Sequence, residues 1–105
     1  MKFHQNNTIT KKKLEKYFAI TEEALSMAKK SANRTLLKNE RIDMIDMIER
    51  YVTDAKHFET KGDWVNAFAA LNYAHGWLDA GARLGIFDVH DSRLFTVDDT
   101  MFEDT

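Results

Sequence analysis

Four histidines and the carboxylates near them are the side chains in this sequence with the most chemistry to offer. Asp54, His57, His75 and Asp79 bring carboxylate and imidazole to helical spacing, a donor set suited to a zinc ion. Arg83 and His90 form a second constellation, with six residues between them. A histidine can pass a proton and an arginine can stabilise a developing phosphorane, the two tasks of phosphodiester cleavage. A third group, Tyr73, His75, Gly76, Trp77, Asp79, Gly81 and Arg83, mixes aromatic, polar and glycine positions, the ingredients of a groove for a ligand or peptide. Lys11, Lys12 and Lys13 form a short basic patch.

Composition removes other chemistries. The 105 residues include no Cys, which excludes thiolate metal sites, thiol nucleophiles and disulfides. All four Gly fall between positions 62 and 85, and none makes a phosphate-binding loop. Ser26, Ser31 and Ser92 lack a nucleophile-elbow context, and Asp98 and Asp99 lack a calcium-loop pattern. No cofactor or metal is expected. The apolar runs fall far short of the roughly 18 residues of a membrane span, and the polar, basic start does not read as a secretory signal. A cytoplasmic protein of one small domain follows as the expectation.

With no Pro, few Gly and hence little turn chemistry, the elements that carry these residues must be long helices. Leu14, Phe18, Thr21, Leu25, Ala28 and Ala32 trace a heptad seam that predicts a first helix over about 10–33. Three lysines in its first turn oppose the helix dipole, which marks them as a candidate contact patch. Asn39 and Glu40 read as the start of a second helix over 39–61, with Ile45, Ile48, Val52 and Ala55 on its seam. Gly62 ends that helix, and Asp63 caps a third over 63–87, so the two are antiparallel. The third helix has two seams. Trp64, Ala67, Leu71, Ala74, Leu78, Gly81 and Gly85 form one; Ala70, Tyr73, Trp77, Ala80, Leu84 and Phe87 form the other. Either the first two helices cover both seams, or the seam with Tyr73 and Trp77 is a homodimer face.

The turn at Gly62-Asp63 also fixes which residues share a level. His57 comes level with Phe68 and His75 with Arg50, so the two histidines are offset by roughly 10 Å along the bundle, too far to share an ion. Asp79 falls at the level of Asp46 and Arg50. Asp79 and Arg83 are i,i+4 neighbours, and an ion-pair ladder is favoured over a polar groove between helices two and three. Residues 88–105 carry six acids and one Arg around Leu94, Phe95, Val97, Met101 and Phe102. They form either an ordered strap across the bundle or a tail docked on the basic first helix. Charge is split the same way: net +6 over residues 1–41 and net −8 over 42–105. Neutralisation within one fold or between copies is favoured over a nucleic-acid surface, since no aromatic residue interleaves with the lysines.

The stretch from Tyr51 to Gly85, above all the run YAHGWLDAGARLG at 73–85, resembles the signature of domain-of-unknown-function family 357, an uncharacterised and mainly archaeal family. The resemblance covers helices two and three well, helix one weakly and the acidic extension not at all. It implies a small up-and-down three-helix bundle from an archaeon and brings no activity, substrate or catalytic residue. The spacing of Arg83 and His90 is in turn similar to that of helical HEPN-type ribonucleases, which complete the pair across a dimer. The reading is therefore an all-α, three-helix up-and-down bundle over 1–87 with an irregular acidic C-terminal extension over 88–105. Its expected role is that of a non-enzymatic interaction or scaffold module with a homo-oligomeric or protein partner. A nucleic-acid-associated protein or HEPN-like ribonuclease is the alternative.

Overall fold

A computed structural model describes residues 9–96, and within them the chain is an all-α bundle of three helices. These are α1 (Lys11–Lys30), α2 (Lys38–Thr60) and α3 (Trp64–Leu84). They run up, down and up, with the most extensive packing between α2 and α3. No helix among the described residues is long and apolar enough to cross a membrane. Two groups of buried side chains hold the bundle. Leu14, Phe18, Ala55, Ala67, Ala70 and Leu71 fill one end, and a larger group built on Ala28, Ile48, Leu78 and Phe87 fills the rest.

The helix boundaries follow from local chemistry. Thr10 Oγ1 accepts the amide of Lys13 at 3.1 Å and starts α1. At the α2–α3 turn, Gly62 takes φ 76°, its amide donates to Glu59 O and that of Asp63 donates to Phe58 O. This closes α2 with the left-handed motif expected there. Asp63 Oδ1 then accepts from Asn66 N at 3.2 Å and caps α3.

Three boundaries differ from the sequence reading. α2 begins at Lys38, ahead of Asn39, because Asn33 and Thr35 organise the loop instead. Asn33 Oδ1 accepts from the amide and hydroxyl of Thr35, and Thr35 Oγ1 accepts from Leu37 N. α3 stops at Leu84, since Gly85 takes φ 82°. Gly85 is therefore punctuation like Gly62, not a helix-interior residue. α1 stops at Lys30, where Ser31 turns extended.

The end of α1 is held from outside. The Arg41 guanidinium, on the first turn of α2, donates to Ser31 O and Ile86 O at 2.7 Å and to Ala28 O at 3.1 Å. It lies 5.5 Å from the centre of the Phe87 ring. Arg34 N donates to Gly85 O and Asp88 N to Ala32 O, both at 2.9 Å. One arginine thus fastens the α1–α2 loop to the segment leaving α3.

That segment is an ordered strap through Thr96, with Ile86, Phe87, Val89, Leu94 and Phe95 all buried. It returns along the bundle beside α1, where Arg93 pairs with Glu23 at 3.0 Å. The expected alternative, a tail docked on the start of α1, falls on residues 97–105, outside the described residues.

Replacement of Arg41 by Lys keeps the charge and loses the planar fork. The expected loss is about 2 kcal/mol, which for a domain of this size lowers the thermal midpoint by roughly 10 °C. Circular dichroism melts of the two proteins check this.

Candidate functional site

α3 has 3.6 residues per turn, and this period distributes the candidate residues over different sides of one rod. Tyr73, Gly76 and Trp77 point away from the bundle. Tyr73 is 63% exposed and Trp77 39%, and the same side presents Val65 at 63% and Leu84 at 65%. Between the two aromatic rings and the helix backbone lies a shallow groove of about 520 Å³, lined by Ala69, Asn72, Tyr73, Gly76, Trp77 and Ala80. The second seam therefore splits. Ala70 and Phe87 turn into the core, while Tyr73, Trp77 and Leu84 stay outside, so α1 and α2 do not cover both seams.

Tyr73 is not loose on this surface. Its ring stacks on Tyr51 of α2, with centroids 5.4 Å apart and planes 14° from parallel. The contact confirms the level rule set by the Gly62 turn. It also holds one wall of the groove in place before anything binds.

His75 and Asp79 face the other way, toward α1. They line a cleft of about 330 Å³ with Tyr17, Ile20, Thr21, Asn72 and Gly76, so that Asn72 and Gly76 border both this cleft and the outer groove. The polar groove weighed as the less favoured alternative had these residues between helices two and three, whereas His75 and Asp79 line a cleft between the first and third. His75 Nε2 is 3.9 Å from Asp79 Oδ1. Asp79 Oδ1 accepts from Thr96 N at 2.7 Å and Oδ2 from Thr96 Oγ1 at 3.0 Å. Asp79 is thereby the anchor of the strap. Asp46 and Arg50, at its level on α2, pair with each other at 2.9 Å. Arg83 is exposed on the last turn of α3, and His90 lies beyond that helix with its Nε2 2.9 Å from Asp88 Oδ1.

Gly81 belongs to none of these surfaces. It is buried, and a Cβ there would run into the Phe87 ring and come within 3.2 Å of Met44 Cε. Lys11, Lys12 and Lys13 are exposed at the start of α1. The Lys13 ammonium lies 5.6 Å from the centre of the Phe68 ring, which stacks on Tyr17 at 4.4 Å. The lysine patch therefore does meet an aromatic, one supplied by α3 and invisible to spacing within α1. No three His, Asp or Glu side chains converge in metal-binding fashion among the described residues.

Val65 and Ala69 are the surface residues that the two-seam reading passed over. The signal was present: positions 65, 69 and 76 repeat at helical spacing and run into Ala80 of the second seam.

Three helices and a strap, with Val65, Tyr73, Trp77 and Leu84 left exposed on α3, describe a small all-α bundle. Residues 16–87 match the family described as Protein of unknown function (DUF357), and the chain belongs to that family. The match takes in most of α1 as well as α2 and α3, and stops before the 88–96 part of the strap. No curated protein and no solved structure matches the chain.

In the strap, the side-chain hydrogen bond from Arg93 holds the Asp91 carboxyl below its ordinary range, and Asp91 and Glu23 push Arg93 up. A carboxylate with a lowered folded pKa stabilises above its unfolded pKa, and that contribution is lost as pH falls through the folded value. The Asp91–Arg93 contribution to the strap is thus lost only below the usual carboxylate range. An NMR titration of the Asp91 side chain has its midpoint below that of a free aspartate, and Arg93→Gln moves it upward.

Proposed function

We propose that this chain is a non-enzymatic protein-interaction module that binds along the outer face of α3. The observation that carries the reading is Gly76. It sits in mid-helix with nothing within 4 Å of where a Cβ would stand, between the exposed rings of Tyr73 and Trp77. A glycine in a helix interior costs about 1 kcal/mol relative to alanine. Gly62 and Gly85 are used for positive φ and Gly81 for the Phe87 ring, whereas nothing inside the fold uses Gly76. Close approach of something from outside does.

The side chains suit that role. Tyr and Trp are the residues that most often anchor interfaces, and the Tyr51 stack spares Tyr73 part of the ordering cost on binding. The histidines, by contrast, have structural company. His75 leans on Asp79, which holds Thr96, and His90 sits on Asp88. The cysteine-free composition fits a reducing, cytoplasmic setting, and the archaeal character suggested by the YAHGWLDAGARLG run belongs to the same reading.

A photoreactive phenylalanine analogue placed at position 77, or at position 73, tests the proposal in cells expressing the chain. Illumination is expected to give discrete adducts from both positions and none from position 50, exposed on α2. Equal yields from positions 73, 77 and 50 overturn the reading.

Gly76→Ala and Gly81→Ala separate the two kinds of helix-interior glycine. At Gly76 the methyl enters open space and dilute protein is expected to gain about 1 kcal/mol. At Gly81 the same change displaces Phe87 and costs about 1–3 kcal/mol. Chemical denaturation at low protein concentration reads both.

A further inference from the structure

The strap is fastened in two different ways along its length. Its first part, residues 86–89, is tied through the main chain: Phe87 N donates to Gly81 O at 3.1 Å, Asp88 N donates to Ala32 O at 2.9 Å, and Ile86 O accepts from Arg41 at 2.7 Å. Residues 91–96 are held otherwise. The amides of Leu94 and Phe95 both donate to Asp91 O, inside the segment, and among the described residues no hydrogen bond between main chains joins 91–96 to a helix. Two side-chain contacts reach the helices instead. Arg93 meets Glu23 on α1 at 3.0 Å, and Thr96 donates its amide and its hydroxyl to Asp79 on α3 at 2.7 and 3.0 Å.

We propose that residues 91–96 form a lid latched on Asp79, which opens as one unit while residues 86–89 and the three helices keep their places. Leu94 and Phe95 lie between the two anchors and so cross from α1 to α3, where both are buried in one group with Ala24, Ala28, Ala74 and Leu78. The ion pair at Arg93 is exposed on both sides and adds little. A segment held by two apolar side chains and a latch, with no ladder of backbone bonds to its neighbours, opens at lower free energy than the fold as a whole. The boundary of the unit falls after Val89, the last buried residue before Leu94.

Asp79 is at once the latch and part of the wall of the α1–α3 cleft, with His75 one turn before it. Release of Thr96 frees both carboxylate oxygens from the strap. Departure of Leu94 and Phe95 bares apolar surface of α1 and α3 next to them. The open form therefore presents a longer cleft with a carboxylate part-way along it, and the lid sets how much of that cleft is accessible.

Amide hydrogen exchange of the full chain, read residue by residue by NMR, tests the lid. Relative to their intrinsic rates, the amides of Leu94 and Phe95 are expected to exchange together, at least about 100-fold faster than those of Ile48 and Leu78 in the helices. Asp79→Ala is expected to speed Leu94 and Phe95 by about a further tenfold and to leave Phe87 and Asp88 unchanged. Thr96→Val removes the hydroxyl bond alone, keeps the fold if Asp79→Ala does not, and is expected to give a smaller rise at the same two amides. Leu94 and Phe95 protected as well as Leu78 overturn the proposal. An equal rise at Phe87, Asp88 and Leu78 in either variant overturns it too, because the strap is then one body with the bundle; no rise at Leu94 and Phe95 in either variant removes the latch.

Discussion

One guanidinium decides where the bundle closes. At the end of α1 the Ser31 amide and hydroxyl donate to Ala28 O, and the carbonyls past it need donors from outside the helix, since a helix end left unsatisfied under packing is costly. Arg41 serves Ala28 O and Ser31 O from the first turn of α2 and reaches Ile86 O beyond α3 with the same planar group. Three chain segments far apart in sequence meet at that point. The position of Phe87 depends on it, because the ring packs beneath the guanidinium and over Gly81. The strap in turn depends on Phe87, since Val89, Leu94 and Phe95 belong to the same buried group.

The strap explains which side of α3 is left uncovered. Its second anchor is Thr96 on Asp79, at the α1 side of α3, and Arg93 on Glu23 secures its path beside α1. With α2 on one flank of α3 and the strap and α1 on the other, three sides of a nearly all-apolar helix are covered. The fourth carries Val65, Tyr73, Trp77 and Leu84 exposed together. These side chains share that side with the exposed Asn66, Asn72 and Arg83, and Leu36 and Ile42 are exposed elsewhere on the bundle, so the face is apolar in patches and edged by polar groups.

Much of this was legible in the sequence because period and turn chemistry carry it. The heptad seam of α1, the Gly62-Asp63 turn and the antiparallel level of α2 and α3 follow from spacing alone, and the Tyr51–Tyr73 stack confirms the level. What spacing could not supply was rotation about the helix axis. His75 and Asp79 share a level with Arg50 yet face α1, so neither the ladder nor the groove weighed between α2 and α3 took account of the cleft they line between α1 and α3. Arg41 was invisible for a related reason: its partners are backbone carbonyls, which leave no residue-type signature. Gly85 was misplaced because a glycine one residue past a helix and a glycine inside it read alike until the chain is seen to turn.

The remaining asymmetry lies in how the two aromatic residues of the exposed face are held. An exposed Tyr or Trp normally surrenders rotamer freedom on binding, a cost of about 0.5–1.5 kcal/mol per side chain. Tyr73 has surrendered part of its share already, through the Tyr51 stack, whereas Trp77 stands beyond it with 39% of its surface open. The backbone at Gly76 is equally prepared, fixed in a regular helix turn with open space beside it. The fold thus carries a helix-interior glycine that no neighbour within 4 Å requires, beside an aromatic wall that the Tyr51 stack already holds. Both features lie side by side on the face of α3 that α1, α2 and the strap leave uncovered.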